Sequence, residues 1–153
     1  GAVSRSGGIL QVVSTTKTNA FTTTSASLTD ITGLSVSITP RSTSSKILVL
    51  ASFGARNATT VIDKFQLVRD STAIAVSTGG STTNGTWVSV TAQGGGDQLN
   101  HMIAINHLDS PATTSSTTYK VQCSVGGGTM YVGRTVAGNY GQVSSITVME
   151  VAG

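Results

Sequence analysis

The chain has two histidines, and histidine side chains can bind metal ions or transfer protons. His101 and His107 share one side of a predicted strand, with Ile103 and Ile105 between them. Because each strand residue adds about 3.3 Å, the two imidazoles lie about 20 Å apart, too far for one ion within one chain. We therefore expect polar residues at the strand ends, and the alternative is a site shared between subunits on a symmetry axis.

The cysteine and the acids offer little catalytic chemistry. Cys123 alternates with Tyr119, Val121 and Val125, which predicts a small buried apolar group rather than a nucleophile. No two acids form a close pair, which disfavours a carboxylate-dyad hydrolase or a calcium loop. The acids are Asp30, Asp63, Asp70, Asp97, Asp109 and Glu150. Glu150 lies in the apolar stretch 148–151, which predicts a buried carboxylate with an Arg or Lys partner from its own or another subunit.

Glycine clusters at 79–80, 94–96 and 126–128 match no phosphate-binding motif and are expected at loop tips. No cofactor is predicted. Aromatic and amide side chains in Gly/Asn-rich loops are typical of carbohydrate-stacking surfaces, and Tyr131 and Gln142 are of this kind. The residues that we expect to contact a receptor or glycan are Asn84, Trp87, Asn139 and Tyr140.

Composition limits the fold and the partners. The 153 residues include 25 Thr, 21 Ser and 18 Gly but one glutamate, so strong helix formers are scarce and β-branched residues abundant. This predicts an all-β protein. The net charge of +3 comes from scattered basic residues, which does not indicate a nucleic-acid partner. No apolar run approaches the roughly 20 residues of a membrane helix, so no membrane insertion is predicted.

Hydrophobic alternation divides the chain into about ten short strands. Residues 34–39 and 119–125 alternate between apolar and polar side chains, as expected for strands with one face on a core. The run 47–51 is apolar on both faces, which predicts a central strand or a subunit contact. We expect a flexible arm over 1–8 and one antiparallel two-sheet jelly-roll sandwich over 9–153.

Several strand segments carry a family resemblance. They are residues 8–18, 34–40 with 44–49, 67–75, 109–114 and 118–122, and the closing 147–151. These resemble a module of phage tail-fibre and virion proteins, many from marine and cyanobacterial phages. The resemblance implies a C-terminal jelly-roll head similar to those of C1q and tumour necrosis factor, which form trimers. Together with the apolar run and the last strand, it predicts a trimer interface at Ile47, Val49, Ala51, Val148 and Glu150.

The predicted function is that of a non-enzymatic virion protein on the outside of a phage particle. The first interpretation is the distal head of a trimeric tail fibre or spike, which binds a host-surface glycan or protein and a fibre shaft. The alternative is a decoration protein that stabilises the capsid, with residues 1–8 as a docking arm. A third, a glycan-degrading tail enzyme, would need the acid pair that the sequence does not show.

Overall fold

Eleven strands form the protein in this computed structural model, which describes residues 6–57, 59, 61–81, 83–90, 100–134 and 140–153. Within that part of the chain there is no helix. The strands are β1 (Ile9–Lys17), β2 (Phe21–Thr23), β3 (Thr29–Ile38), β4 (Lys46–Asn57), β5 (Ile62–Arg69), β6 (Thr72–Ile74), β7 (Trp87–Val90), β8 (His101–Asp109), β9 (Thr117–Val125), β10 (Met130–Val132) and β11 (Ser144–Val151).

The strands form two antiparallel sheets. In the first, sheet A, β4 is central: it pairs with β8 on one side and with β11 and then β10 on the other, and β1 and β2 flank those two. In sheet B the order is β3, β9, β5, with β6 and β7 along the two halves of β5. From β2 to β10 the chain crosses repeatedly from one sheet to the other, as it does in a jelly roll. The predicted all-β sandwich is confirmed.

The core lies between the two sheets, and the alternating segments supply it as predicted. Leu34, Val36 and Ile38 of β3 point inward and are at most 5% exposed. In β9 the same holds for Tyr119 and for Val121, Cys123 and Val125, whereas Lys120, Gln122 and Ser124 point outward. Phe53 and Phe65 face each other across the sheets, with ring centroids 5.3 Å apart. Alternation therefore sets which face of each strand is buried.

The predicted trimer-interface residues are enclosed within a single subunit. The side chains of Ile47, Val49, Ala51, Val148 and Glu150 are at most 3% exposed, and the four apolar ones belong to the core. A side chain enclosed by its own second sheet cannot contact another copy, so this assignment is corrected. Leu48 and Leu50 of the same apolar run point to the other face of sheet A, where Leu50 is 37% exposed.

Two chain segments extend sheet A beyond its strands. The N–H of Gly7 donates to the carbonyl of Ala152, and the N–H of Ala152 donates to that of Gly8, so the ladder starts before Ile9. Between β10 and β11, Arg134 and Gly141 form an isolated antiparallel bridge. We call the described residues of this connection, 133–134 and 140–143, the excursion; Tyr140 and Val143 in it are exposed.

Candidate functional site

The outward face of sheet A carries a row of apolar side chains across four strands. Strand register places Val12, Met149, Leu48 and Leu108 next to one another on β1, β11, β4 and β8. Val12 is 54% and Leu108 is 48% exposed, and the two between them are half-buried. Four adjacent apolar side chains on one face form a continuous surface, unlike single exposed residues, and such surfaces mark interaction sites.

A shallow depression lies beside the apolar row. It has a volume of about 340 Å³ and is lined by Leu50, Ser52, Ala104, Asn106, Ser145 and Thr147, with the backbone strands beneath. The next two rows across the sheet, Ser14–Thr147–Leu50–Asn106 and Thr16–Ser145–Ser52–Ala104, carry no charge. We call these two rows and the apolar row together the outer face. The outer face is uncharged, and the depression within it has room for a protruding side chain.

The predicted receptor-contact residues occupy different environments. Tyr140 is 70% exposed on the excursion between β10 and β11. Trp87 instead packs against the core, with ring centroids 6.0 Å from Phe65 and 6.1 Å from His101. The amide of Asn84 closes its own turn, since its Oδ1 accepts from the N–H of Gly80 and its Nδ2 donates to the carbonyl of Gly80.

Asn139, the fourth predicted contact residue, lies outside the described residues. Of the described three, Tyr140 has the exposed ring that stacking on a sugar requires. Glycan contact at this end of the molecule stays a prediction.

The two histidines share the inward parity of β8, as the sequence predicts. His101 lies against Trp87, with the ring centroids 6.1 Å apart, and His107 is half-buried further along the strand. Among the described residues, no three His, Cys, Asp or Glu side chains cluster in a way that could hold a metal ion. The shared site on a symmetry axis stays a prediction, because the structure holds one chain.

Glu150 is fully buried, as predicted. Gln11 Nε2 donates to its Oε2 at 2.6 Å, and the backbone N–H of Arg41 donates to its Oε1 at 2.7 Å. Burial raises the pKa of Glu150, but the polar groups of Ser45, Gln11 and the Arg41 backbone outweigh it, so the pKa lies below its usual value. The positive charge of Arg41 also lowers this pKa, but the hydrogen bonds come from an amide and a backbone N–H of the same chain.

A second buried carboxylate joins the two sheets. Asp109, at the end of β8, accepts hydrogen bonds of 2.8 Å to both oxygens from Arg69 Nη1 and one of 2.7 Å from the Tyr119 hydroxyl. Burial, followed by the bond to Asp109, raises the pKa of Tyr119 above its usual range. The hydroxyl is therefore a fixed donor, and the cluster is structural rather than a site for proton transfer.

Cys123 has no exposed surface, as the alternation predicts. Burial, together with the nearby charge of Asp63, raises the pKa of its thiol to about 12. A protonated, inaccessible thiol is neither a nucleophile nor a metal ligand at neutral pH.

Two arginines that the sequence did not single out stack on Tyr131. The guanidinium carbon of Arg56 lies 4.9 Å from the centroid of the Tyr131 ring, and that of Arg134 lies 4.3 Å from it. The spacing of Arg134 three residues after Tyr131 is a weak sequence signal. The contact of Arg56 depends on the β4–β10 pairing, which the sequence does not reveal.

Comparison with known proteins gives a distant likeness in structure alone. No protein-family model matches the chain, and no curated protein matches it significantly. Two solved structures align at 16% identity and a TM-score of 0.41: a point mutant of the VP2 protein of infectious bursal disease virus in derived T=1 particles, and infectious bursal virus derived T=1 particles. Each alignment covers 93% of this chain and 36% of the other, so this chain spans about a third of the length of those chains. No functional conclusion follows from so low a score.

No helix in the described part of the chain has the length and apolar character to cross a membrane.

Proposed function

We propose that this chain is a non-enzymatic structural domain of a phage virion, the distal head of a trimeric tail fibre or spike that attaches the particle to its host. The observation that carries the proposal is the outer face of sheet A, an uncharged surface with an apolar row across four strands. A jelly-roll sandwich that offers a face of this kind is suited to packing against further copies of itself. The resemblance to phage fibre modules and C1q heads supports three copies.

The occupant of the outer face in this proposal is a second copy of the chain. Self-association through the face buries the exposed parts of Val12, Leu50 and Leu108 without removing any charge from water.

Host attachment in this proposal uses the loops at the end of the sandwich. Tyr140 offers an exposed ring. Asn84, Trp87 and Asn139 are the other residues proposed to contact the ligand. A single tyrosine–sugar contact is weak. Three copies in one head, and several heads on one particle, multiply a weak affinity through effective concentration. A glycan or protein of the host envelope is the proposed ligand.

The oligomer is tested by the native mass of the purified chain with two matched variants. Three copies have three times the chain mass of 15.5 kDa. Leu50→Lys places a charge on the outer face, and Leu28→Lys places the same charge on a leucine of similar exposure before β3. We expect light scattering at micromolar concentration to give trimers for the wild type and Leu28→Lys, and monomers for Leu50→Lys. A monomeric wild type contradicts the trimer.

The position in the particle is tested by immunogold labelling of virions with an antibody against this domain. Gold at the tail periphery supports the fibre head, and gold spread over the capsid contradicts it in favour of a decoration protein. Incubation of the domain with host polysaccharide tests the absence of catalysis. New reducing ends in that assay would show an enzyme.

A further inference from the structure

Tyr131 contacts two guanidinium groups on the outward side of sheet A. Arg56 on β4 is the register partner of Tyr131 on β10, so the two side chains lie side by side on the same face of the sheet. Arg134 follows two residues after β10 and lies over the same ring, 4.3 Å from its centroid. Cation–π attraction stabilises each stack and leaves the N–H groups at the guanidinium edges free to donate.

Three of the guanidinium nitrogens have no acceptor. Nε and Nη1 of Arg56 and Nε of Arg134 are buried and make no hydrogen bond, and Arg56 as a whole is 5% exposed. Within the described residues, no carboxylate forms an ion pair with either arginine. A buried donor without a partner is destabilising, and more so when the group is charged. Two such cations on one ring therefore indicate a ligand that supplies negative oxygen atoms.

The acids that the structure describes are not available for this role; Asp97 lies outside the described residues. Each described carboxylate already has partners: Asp30 has Lys120 and Gln122, Asp63 has Asn57, Asp70 has the N–H of Thr118, Asp109 has Arg69 and Tyr119, and Glu150 has Gln11 and the N–H of Arg41. A second copy could offer one of these groups only by breaking its own contacts. The described carboxylates therefore do not supply the acceptor, which favours a group from outside the chain.

We propose that Arg56 and Arg134, which both stack on the Tyr131 ring, form a binding site for an oxyanion, that is, a sulfate, phosphate or carboxylate group. Guanidinium donors suit these groups because the N–H fork matches their oxygen spacing. The neighbouring surface is already fixed, since Asn100 Nδ2 donates to Gln142 Oε1 at 2.9 Å across Gly54, where a larger residue would collide with Gln142. The site is independent of the virion role.

The test observes the arginine Nε–H signals by ¹⁵N NMR while sodium sulfate replaces sodium chloride at constant ionic strength. We expect the Arg56 and Arg134 signals to shift downfield and to saturate together, because their free N–H groups gain acceptors. A second titration uses D-glucuronate, which carries its carboxylate on a sugar. Saturation by both ligands supports a general oxyanion site, and saturation by glucuronate alone supports a carboxylate borne on a saccharide.

Three variants separate the site from general charge. Arg134→Gln is expected to weaken binding at least tenfold, and Arg134→Lys, which keeps the charge but not the fork, is expected to weaken it less. Lys46→Gln removes the same charge about 33 Å away along β4 and is expected to leave binding unchanged. The Arg56 signal reports on each variant, and thermal unfolding shows whether it is folded. Unsaturable shifts, or equal losses in Lys46→Gln and Arg134→Gln, overturn the proposal.

Discussion

Gln11 and Glu150 are register partners on β1 and β11, and the Gln11 amide donates a 2.6 Å hydrogen bond to the Glu150 carboxylate at the edge of the core. The same carboxylate accepts from the backbone N–H of Arg41, in the loop between β3 and β4. One buried side chain thus connects three parts of the chain that are far apart in sequence. Its charge is stabilised mainly by these hydrogen bonds, and the positive charge of Arg41 adds to them.

The Glu150 carboxylate is expected to make folding stability fall in acid. Because its pKa in the folded protein lies below the ordinary value of 4.5, its contribution is present above that value and is lost as the pH falls through the folded pKa. Urea unfolding at pH values from 7 down to 3 measures this loss. In Glu150→Gln, we expect a cost of about 1–3 kcal/mol at pH 7 and a flatter acid profile. A variant profile as steep as that of the wild type contradicts the assignment.

The Asp109 carboxylate is expected to contribute more to stability than an exposed one. Asp109→Asn leaves Arg69 and the buried Tyr119 hydroxyl poorly paired, which we expect to cost about 3 kcal/mol. Asp30→Asn is the matched control, because the Asp30–Lys120 pair has the same 2.8 Å length but a half-exposed carboxylate, and its loss costs at most about 1 kcal/mol. Denaturant unfolding of both variants gives the comparison. Equal costs would show that burial adds nothing at Asp109.

The sequence predicts the fold well because alternation is a local signal. The side of each residue in β9 follows from residues 119–125 alone, and the structure agrees at every position. Alternation gives no answer for 47–51, because all five residues are apolar. The same sequence is expected whether Leu48 and Leu50 contact another subunit or partly face water. Because the sequence does not tell which members face outward, it predicts Ile47, Val49 and Ala51 at the subunit interface, and the structure instead buries them in the core.

Partners distant in sequence account for most of what the sequence could not predict. Gln11 is 139 residues from Glu150, and Arg69 is 40 residues from Asp109, so neither pair has a local signature. An apolar environment alone suggested a cation for Glu150, but strand register placed an amide there. The Arg56–Tyr131 stack depends on register in the same way, because β4 and β10 are joined only by their pairing in sheet A.

The Cys123 thiol is expected to be unreactive in the native protein. Burial and the nearby Asp63 raise its pKa to about 12, so almost no thiolate exists at pH 8, and the side chain has no exposed surface. A disulfide reagent such as Ellman's reagent should react many times more slowly with the native chain than with the chain in 6 M guanidinium. Comparable rates would mean that the thiol is accessible and reactive in the native protein.

Substitutions at Trp87 and Tyr140 are expected to affect different properties: folding stability at Trp87 and host attachment at Tyr140. Trp87 packs on Phe65 and His101, so Trp87→Ala is expected to cost about 2 kcal/mol or more of the free energy of unfolding. Tyr140 is 70% exposed, so Tyr140→Ala is expected to change stability by less than about 0.5 kcal/mol.

Tyr140→Ala should nevertheless weaken binding of the purified domain to host cells, measured by fluorescence of the labelled protein. Tyr140→Phe, which keeps the ring, is the control and should bind nearly as well as the wild type. If Tyr140→Ala binds host cells like the wild type, this tyrosine is not part of the attachment surface.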